Sequence, residues 1–327
     1  VIGIFRERHT LQVPLFFTLA IASRVVFLNH PPPLPAADSG GLLAPLLHRF
    51  VAATTPGVSS FIAFLIMLLS SLLANYQIGV ARMFSRTNML VALTAWLTAT
   101  MLPQSATLSP ALCMVPLQIL LFGFTTHLYN QSAPRTSIIN IGLLAGTGTL
   151  LYHPFIWIVP ACFMGLAGMR PFKLNEWLLL AAAMLTPFYF ALSFEYVFEG
   201  RNYMRYIPKF ELTMPVALNY THITVLVVAA IWLIAGIASL QSHLRRMLIQ
   251  IRKYWYHLAF TGVWLLPGLL ISPHNREFGL VLLIFPFGGL AANAFISKER
   301  TVPQILLFWT IAVAIGAAQW AFTTGRW

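Results

Sequence analysis

Eleven apolar stretches follow one another along this chain, and they constrain its fold more than any other feature. They run over 11–28, 57–75, 88–102, 109–128, 137–152, 154–169, 177–195, 221–240, 257–272, 278–296 and 303–322. A membrane-crossing helix needs about 20 predominantly apolar residues, and its backbone polar groups are satisfied within the helix itself. The pattern predicts an all-α, polytopic transmembrane bundle of about eleven spans. The segment 88–102 and the pair flanking "YHPF" at 152–155 are the least regular. There His153-Pro154 either separates two short spans or breaks one irregular hairpin. Of 327 residues, 58% are hydrophobic and 9% charged, more apolar surface than a water-soluble domain buries. Residues 1–327 read as a single membrane domain: a helical module 1–195, a loop 196–220 and C-terminal helices 221–327. The opening "LQVPLFFTLAIASRVVFL" reads as a retained first helix. Its apolar run is long for a signal peptide, and Pro35 spoils the cleavage site that would precede Asp38.

The net charge of +12 arises from 20 Lys and Arg against 8 Asp and Glu. No basic run with interleaved aromatics accompanies it, so nucleic acid is not the expected partner. The basic residues instead sort by membrane side. With the N-terminus cytoplasmic, 13 of them fall in inner segments and six (Arg49, Arg201, Arg205, Lys209, Arg276 and Arg326) on the outer side. This bias predicts an inside N-terminus, an outside C-terminus and inner loops that meet anionic lipid heads. Cys113 and Cys162 lie inside apolar stretches and suggest neither a disulfide framework nor a metal site. No phosphate-binding glycine loop or zinc spacing is present, so neither metal nor cofactor is expected.

Two outer connections are long, 29–56 and 196–220; the others, 103–108, around 153 and 273–276, are short. Lipid anchoring explains an inner side that is basic. It does not explain an outer side that collects Asp38, Glu195, Glu199, Glu211 and Glu277 with His30, His48, His153, His222 and His274. A polar cluster at one face of an apolar bundle suggests a site opening there. Asp38, the sole aspartate, lies in "PPPLPAADSGG". Residues 41–52 have Leu42, Leu43, Leu46, Leu47 and Phe50 at helical spacing, with His48 and Arg49 elsewhere on the wheel, as in a short helix on the membrane surface. Arg201, Arg205 and Lys209 recur every four residues, which on a helix makes one basic stripe suited to a phosphate. "ISPHNREFGLVLLIFPF" sets His274, Arg276 and Glu277 between two apolar spans. Each cluster also has a plainer reading: a solvated loop acid, a lipid-contacting stripe, a polar turn, and for His153 a helix-end residue. His222 and His257 read as interfacial. Arg24, near the outer end of the first span, either snorkels or pairs with an acid such as Glu277.

This constellation resembles the GT-C membrane glycosyltransferases. Those proteins have long first and fourth outer loops, as this chain does, and an acid in the first loop soon after helix one, where Asp38 stands. "PHNREFGLVLLIFPF" is similar to a His-Lys-Glu-x-Arg-Phe type stretch before a late helix in some members. The resemblance implies a sugar donor carried on polyprenyl phosphate and transfer to an acceptor on the outer face. It implies Asp38 as the catalytic base. Arg201, Arg205, Lys209, His274, Arg276 and Glu277, with His48, Arg49 and His153 near the same face, would hold donor and acceptor. The chain also resembles bacterial integral-membrane proteins, which implies an inner-membrane location with membrane lipid as a partner. Two other classes fit the composition: a carrier for a lipid-linked sugar or small solute, and a non-catalytic assembly subunit. Convergence of Asp38, the 201–209 stripe and 274–277 on one cavity is the feature that would separate an enzyme from either.

Overall fold

The computed structural model describes residues 2–6, 10–29, 41, 43–86, 88–198, 220–271, 276–296 and 301–324. Among them there is no strand. The helices are α1 (Ile2–Arg6), α2 (Gln12–Ala22), α3 (Val25–Asn29), α4 (Ala44–Ala52), α5 (Pro56–Val80), α6 (Leu90–Thr100), α7 (Pro110–His127), α8 (Arg135–Leu151), α9 (Ile158–Met169), α10 (Leu174–Phe198), α11 (Tyr220–Leu244), α12 (Ile249–Ile271), α13 (Arg276–Gly279), α14 (Ile284–Ala291) and α15 (Thr301–Thr323). Each of the eleven apolar stretches contains helix among its described residues, though several are short or broken. Helices α5, α7, α10, α11 and α15 are each long and apolar enough to cross a membrane unaided.

Local sequence explains the clean helix starts. Pro56 and Pro110 occupy first-turn positions, where a missing N–H costs nothing. Ser109 caps α7 by accepting a hydrogen bond from the Leu112 amide at 3.2 Å. At its far end α5 closes with the Arg82 amide on Gly79 and the Met83 amide on Ile78, at 3.0 and 3.2 Å. That crossed pair of bonds places Arg82 at φ 50, the left-handed position that glycine usually fills.

The bundle is organised around α6, all of whose residues are buried. Trp96 stands edge-on to Phe16 of α2 and Phe64 of α5. Thr94 donates to the Gly288 carbonyl of α14 at 2.7 Å. A side chain at Gly288 would run into the Ala95 backbone at 2.7 Å, so glycine is what lets α14 lie against α6. The longest seam joins α8 to α10. Gly142 and Gly146, one turn apart in "GLLAG", face Ala183 and Met184 so closely that a Cβ would sit 2.4 Å from either neighbour. This is the small-residue spacing that brings membrane helices into backbone contact.

The structure departs from the sequence expectation at four places. The first span is broken at Ser23 and Arg24, dividing α2 from α3. The span 278–296 is a chain of short pieces: α13, a 3₁₀ turn Leu280–Leu283, α14 and a second 3₁₀ turn Ala292–Phe295. Pro286 lacks the amide that would bond to Leu282, which favours tightening of the preceding turn. The 103–108 connection is buried throughout, with a 3₁₀ turn at Pro103–Ala106, and is no surface loop. His257 is a core residue, stacked on Phe122 with 5.7 Å between ring centroids. It is not interfacial, because α12 begins two turns earlier than its apolar run. Between α8 and α9, His153–Trp157 forms a 3₁₀ turn, so His153-Pro154 separates two helices.

Candidate functional site

We call the end of the bundle where α3, α6 and α8 finish the loop end. There the break in the first span does two things. It frees the Ser23 carbonyl, which accepts from Gln319 of α15 at 2.7 Å, while the Ser23 hydroxyl accepts from the Trp96 indole at 2.9 Å. It also turns Arg24 toward the interior, where it is 2% exposed. One guanidinium nitrogen, Nη2, donates to Ser105 Oγ at 2.6 Å and to the Ala99 carbonyl at 3.2 Å. The guanidinium carbon lies 5.4 Å from the Phe27 ring centre and 5.6 Å from that of Trp96, within cation–π range.

Arg24 therefore neither snorkels nor forms an ion pair with any acid whose side chain is described. The Glu277 side chain is outside the described set. What steadies the cation is the last turn of α6, whose outward carbonyls carry the negative end of the helix dipole, together with two aromatic faces. Among the described residues its Nε and Nη1 have no hydrogen-bond partner. A buried guanidinium with unfilled donors favours an anion.

Ser105 belongs to the buried turn Pro103–Ala106, and α13 packs against that turn as well as against α7 and α12. The backbone of Arg276–Gly279 thus reaches the element that holds Arg24. Arg276 and Glu277 open α13, but their side chains lie outside the described residues, as do Asp38, Arg201, Arg205, Lys209 and His274 in full.

A second feature of the loop end is a clip on the first loop. The Gly41 and Leu43 amides donate to the Leu151 and Leu150 carbonyls at 3.0 and 3.1 Å. Gly41 must be glycine here, since a Cβ would sit 2.0 Å from the Leu150 oxygen. The clip takes up carbonyls that the C-terminus of α8 would otherwise leave open. Next to it, the buried hydroxyl of Tyr152 has no hydrogen-bond partner among the described residues, and half-buried His153 begins the turn to α9. The helix expected around 41–52 is α4. Leu46 and Phe50 are exposed, Arg49 is exposed and His48 is half-buried, so α4 offers an apolar face to its surroundings.

Sequence reasoning identified Arg24 as costly but missed Ser105, Ser23, Trp96 and Gln319. The Gln104-Ser105 pair inside an apolar connection was the available signal. Among the described residues no group of three metal-ligating side chains forms, and both cysteines are free.

The fold as a whole has a solved counterpart. The chain superposes on ArnT from Cupriavidus metallidurans, whose crystal structure was determined bound to undecaprenyl phosphate, with a TM-score of 0.56. The likeness covers 94% of this chain and 64% of ArnT, at 13% identity. The chain has the GT-C fold. It spans a little under two thirds of the ArnT chain, and at that identity the likeness speaks for fold alone. No family model matches the sequence, and no curated protein does. As the sequence predicted, the GT-C architecture here is an all-helical, polytopic membrane bundle.

Proposed function

We propose that this protein is a membrane glycosyltransferase that moves a sugar from a polyprenyl-phosphate donor to an acceptor at the outer face. The observation that carries the reading is the GT-C fold over nearly the whole chain, shared with a protein solved in complex with undecaprenyl phosphate. The buried, incompletely bonded Arg24 at the loop end supports it, because a lipid phosphate is an anion that arrives from within the membrane.

The chemistry asks for little. The anomeric carbon–oxygen bond to the lipid phosphate breaks as the acceptor oxygen forms its bond to the same carbon. The acceptor proton passes to a base, Asp38, which lies three residues before the Gly41 clip in sequence. General-base assistance of this kind contributes about 10²–10⁴-fold. Charge grows on the departing phosphate, and positive groups there lower the barrier. Arg24 is the described candidate; Arg201, Arg205, Lys209, His274 and Arg276 are the candidates from sequence, with Glu277 orienting one of them. His48, Arg49 and His153 are candidates for the acceptor side. No metal is required by this scheme.

The deciding experiment is sugar transfer by the purified full-length protein in liposomes, given polyprenyl-phosphate-linked sugars and a panel of lipid and peptide acceptors. Transfer that depends on Asp38 supports the proposal. Uptake or flipping of the donor without transfer would assign the protein to the carriers instead.

A further inference from the structure

At the opposite end of the bundle, the C-terminal ends of α5 and α7 and the start of α12 surround a cleft of about 390 Å³. Arg82, His127, Tyr129, Gln250, Tyr254 and Leu248 are among the residues that form its walls, and no acid does. Arg82 and His127 are exposed, and among the described residues neither side chain has a hydrogen-bond or ion-pair partner. Tyr254 donates to the Thr126 carbonyl at 3.0 Å and accepts from Gln250, which fixes the back wall. Lys253 rests 5.3 Å over the Tyr129 ring, adding a second positive charge beside the wall. Val80 and Leu248, both exposed, supply apolar surface at the same cleft.

The helix dipoles explain a cation near the ends of α5 and α7. They do not explain the hollow, nor why an arginine holds the left-handed position after α5 where glycine would sit without strain. We infer that this cleft binds the phosphate head group of an anionic phospholipid, its phosphate against Arg82 and His127 and its acyl chains along Val80 and Leu248. A phosphate suits a cleft whose walls present the Arg82 guanidinium, the His127 imidazole and the Tyr129 hydroxyl, with Lys253 close by. Basic pockets between membrane helices are the usual form of such lipid sites. Apolar surface at the mouth argues for a lipid over a soluble phosphate.

The test is native mass spectrometry of the full-length protein in detergent, titrated with phosphatidylglycerol, with phosphatidylcholine, and with phosphatidylglycerol in competition with millimolar inorganic phosphate. Wild type should retain one phosphatidylglycerol in preference to phosphatidylcholine. The Arg82→Gly, His127→Ala double variant should weaken that retention by about tenfold or more. Arg82→Gly relieves the left-handed strain, so a higher thermal midpoint without lipid will show that the loss is not misfolding. Arg245→Ala with Arg246→Ala, exposed but outside the cleft, should bind as wild type. Equal retention of phosphatidylcholine, or equal weakening by the Arg245 and Arg246 pair, would overturn the site. Full displacement by inorganic phosphate would overturn the lipid and assign the cleft to a soluble anion.

Discussion

Arg24 Nη2 stands 2.6 Å from Ser105 Oγ, and Ser105 is itself anchored by donating to the Ala99 and Leu102 carbonyls at 2.6 and 2.7 Å. The guanidinium is therefore attached to a turn that would keep its shape without it. Arg24→Met keeps the volume, leaves Ser105 bonded, and removes a buried charge that no described acid balances. The variant should fold with an unchanged or higher thermal midpoint. It should bind polyprenyl phosphate more weakly by about 1.5–3 kcal/mol, the range for hydrogen bonds to charged groups. Thermal unfolding and a lipid-binding titration on the same sample check both halves. Wild-type binding would make Arg24 a structural residue only.

Asp38→Asn should express and fold as wild type and lose about 10²–10⁴-fold in transfer rate, since the amide cannot accept the acceptor's proton. Sugar transfer measured at matched protein levels decides it. Normal turnover would exclude Asp38 as the base.

Gly41→Ala should release the first loop from α8. The new Cβ cannot occupy a point 2.0 Å from the Leu150 oxygen, so the Gly41 and Leu43 bonds must yield, at roughly 1–3 kcal/mol. Limited proteolysis from the outer side should then cut within 30–42 faster than in wild type, with activity reduced and the helical signal unchanged. Unaltered cleavage would show that the clip does not hold the loop.

Gly146→Val should separate α8 from α10. Its Cβ would begin 2.4 Å from the Met184 carbonyl, and overpacking of this kind costs about 1–3 kcal/mol. A lowered unfolding midpoint is expected, while the same change at Gly168, where nothing lies within 4 Å, should have much less effect.

Sidedness can be tested by single cysteines in a background lacking Cys113 and Cys162. Positions 38 and 205 should react with an impermeant reagent from outside, and the exposed positions 86 and 248 only after the inner face is opened. Labelling of 38 or 205 from the inside would reverse the topology predicted by the basic residues.

The eleven helical stretches were legible because lipid rewards unbroken apolar runs, and that signal is local. The exceptions were set by partners far away in sequence. Nothing near Ser23 announces that its carbonyl will accept from Gln319. The Gln104-Ser105 pair marks the 103–108 connection as unusual, but its burial depends on helices distant in sequence. His257 stands at the first position of its apolar run, yet α12 begins at Ile249 and carries it into the core. The Gly142 and Gly146 spacing is local and legible, but its partner helix is not. The candidate site is predicted from sequence as a crowd of polar residues on one side. Of its members only His48, Arg49 and His153 have described side chains; Arg24 joins the candidates through contacts that only the fold creates.

The eleven residues of α6 rise about 16 Å, roughly half of a hydrocarbon core about 30 Å thick. With all of its side chains buried by other helices, α6 has little surface left for lipid and too little length to anchor itself during synthesis. Its insertion is therefore a collective step: α5 has to be threaded before α6 can settle, and α14, made much later by the ribosome, completes its coat. Early in biogenesis this segment is a passenger awaiting neighbours, and a chain truncated before Gly288 should leave it as a substrate for membrane quality control.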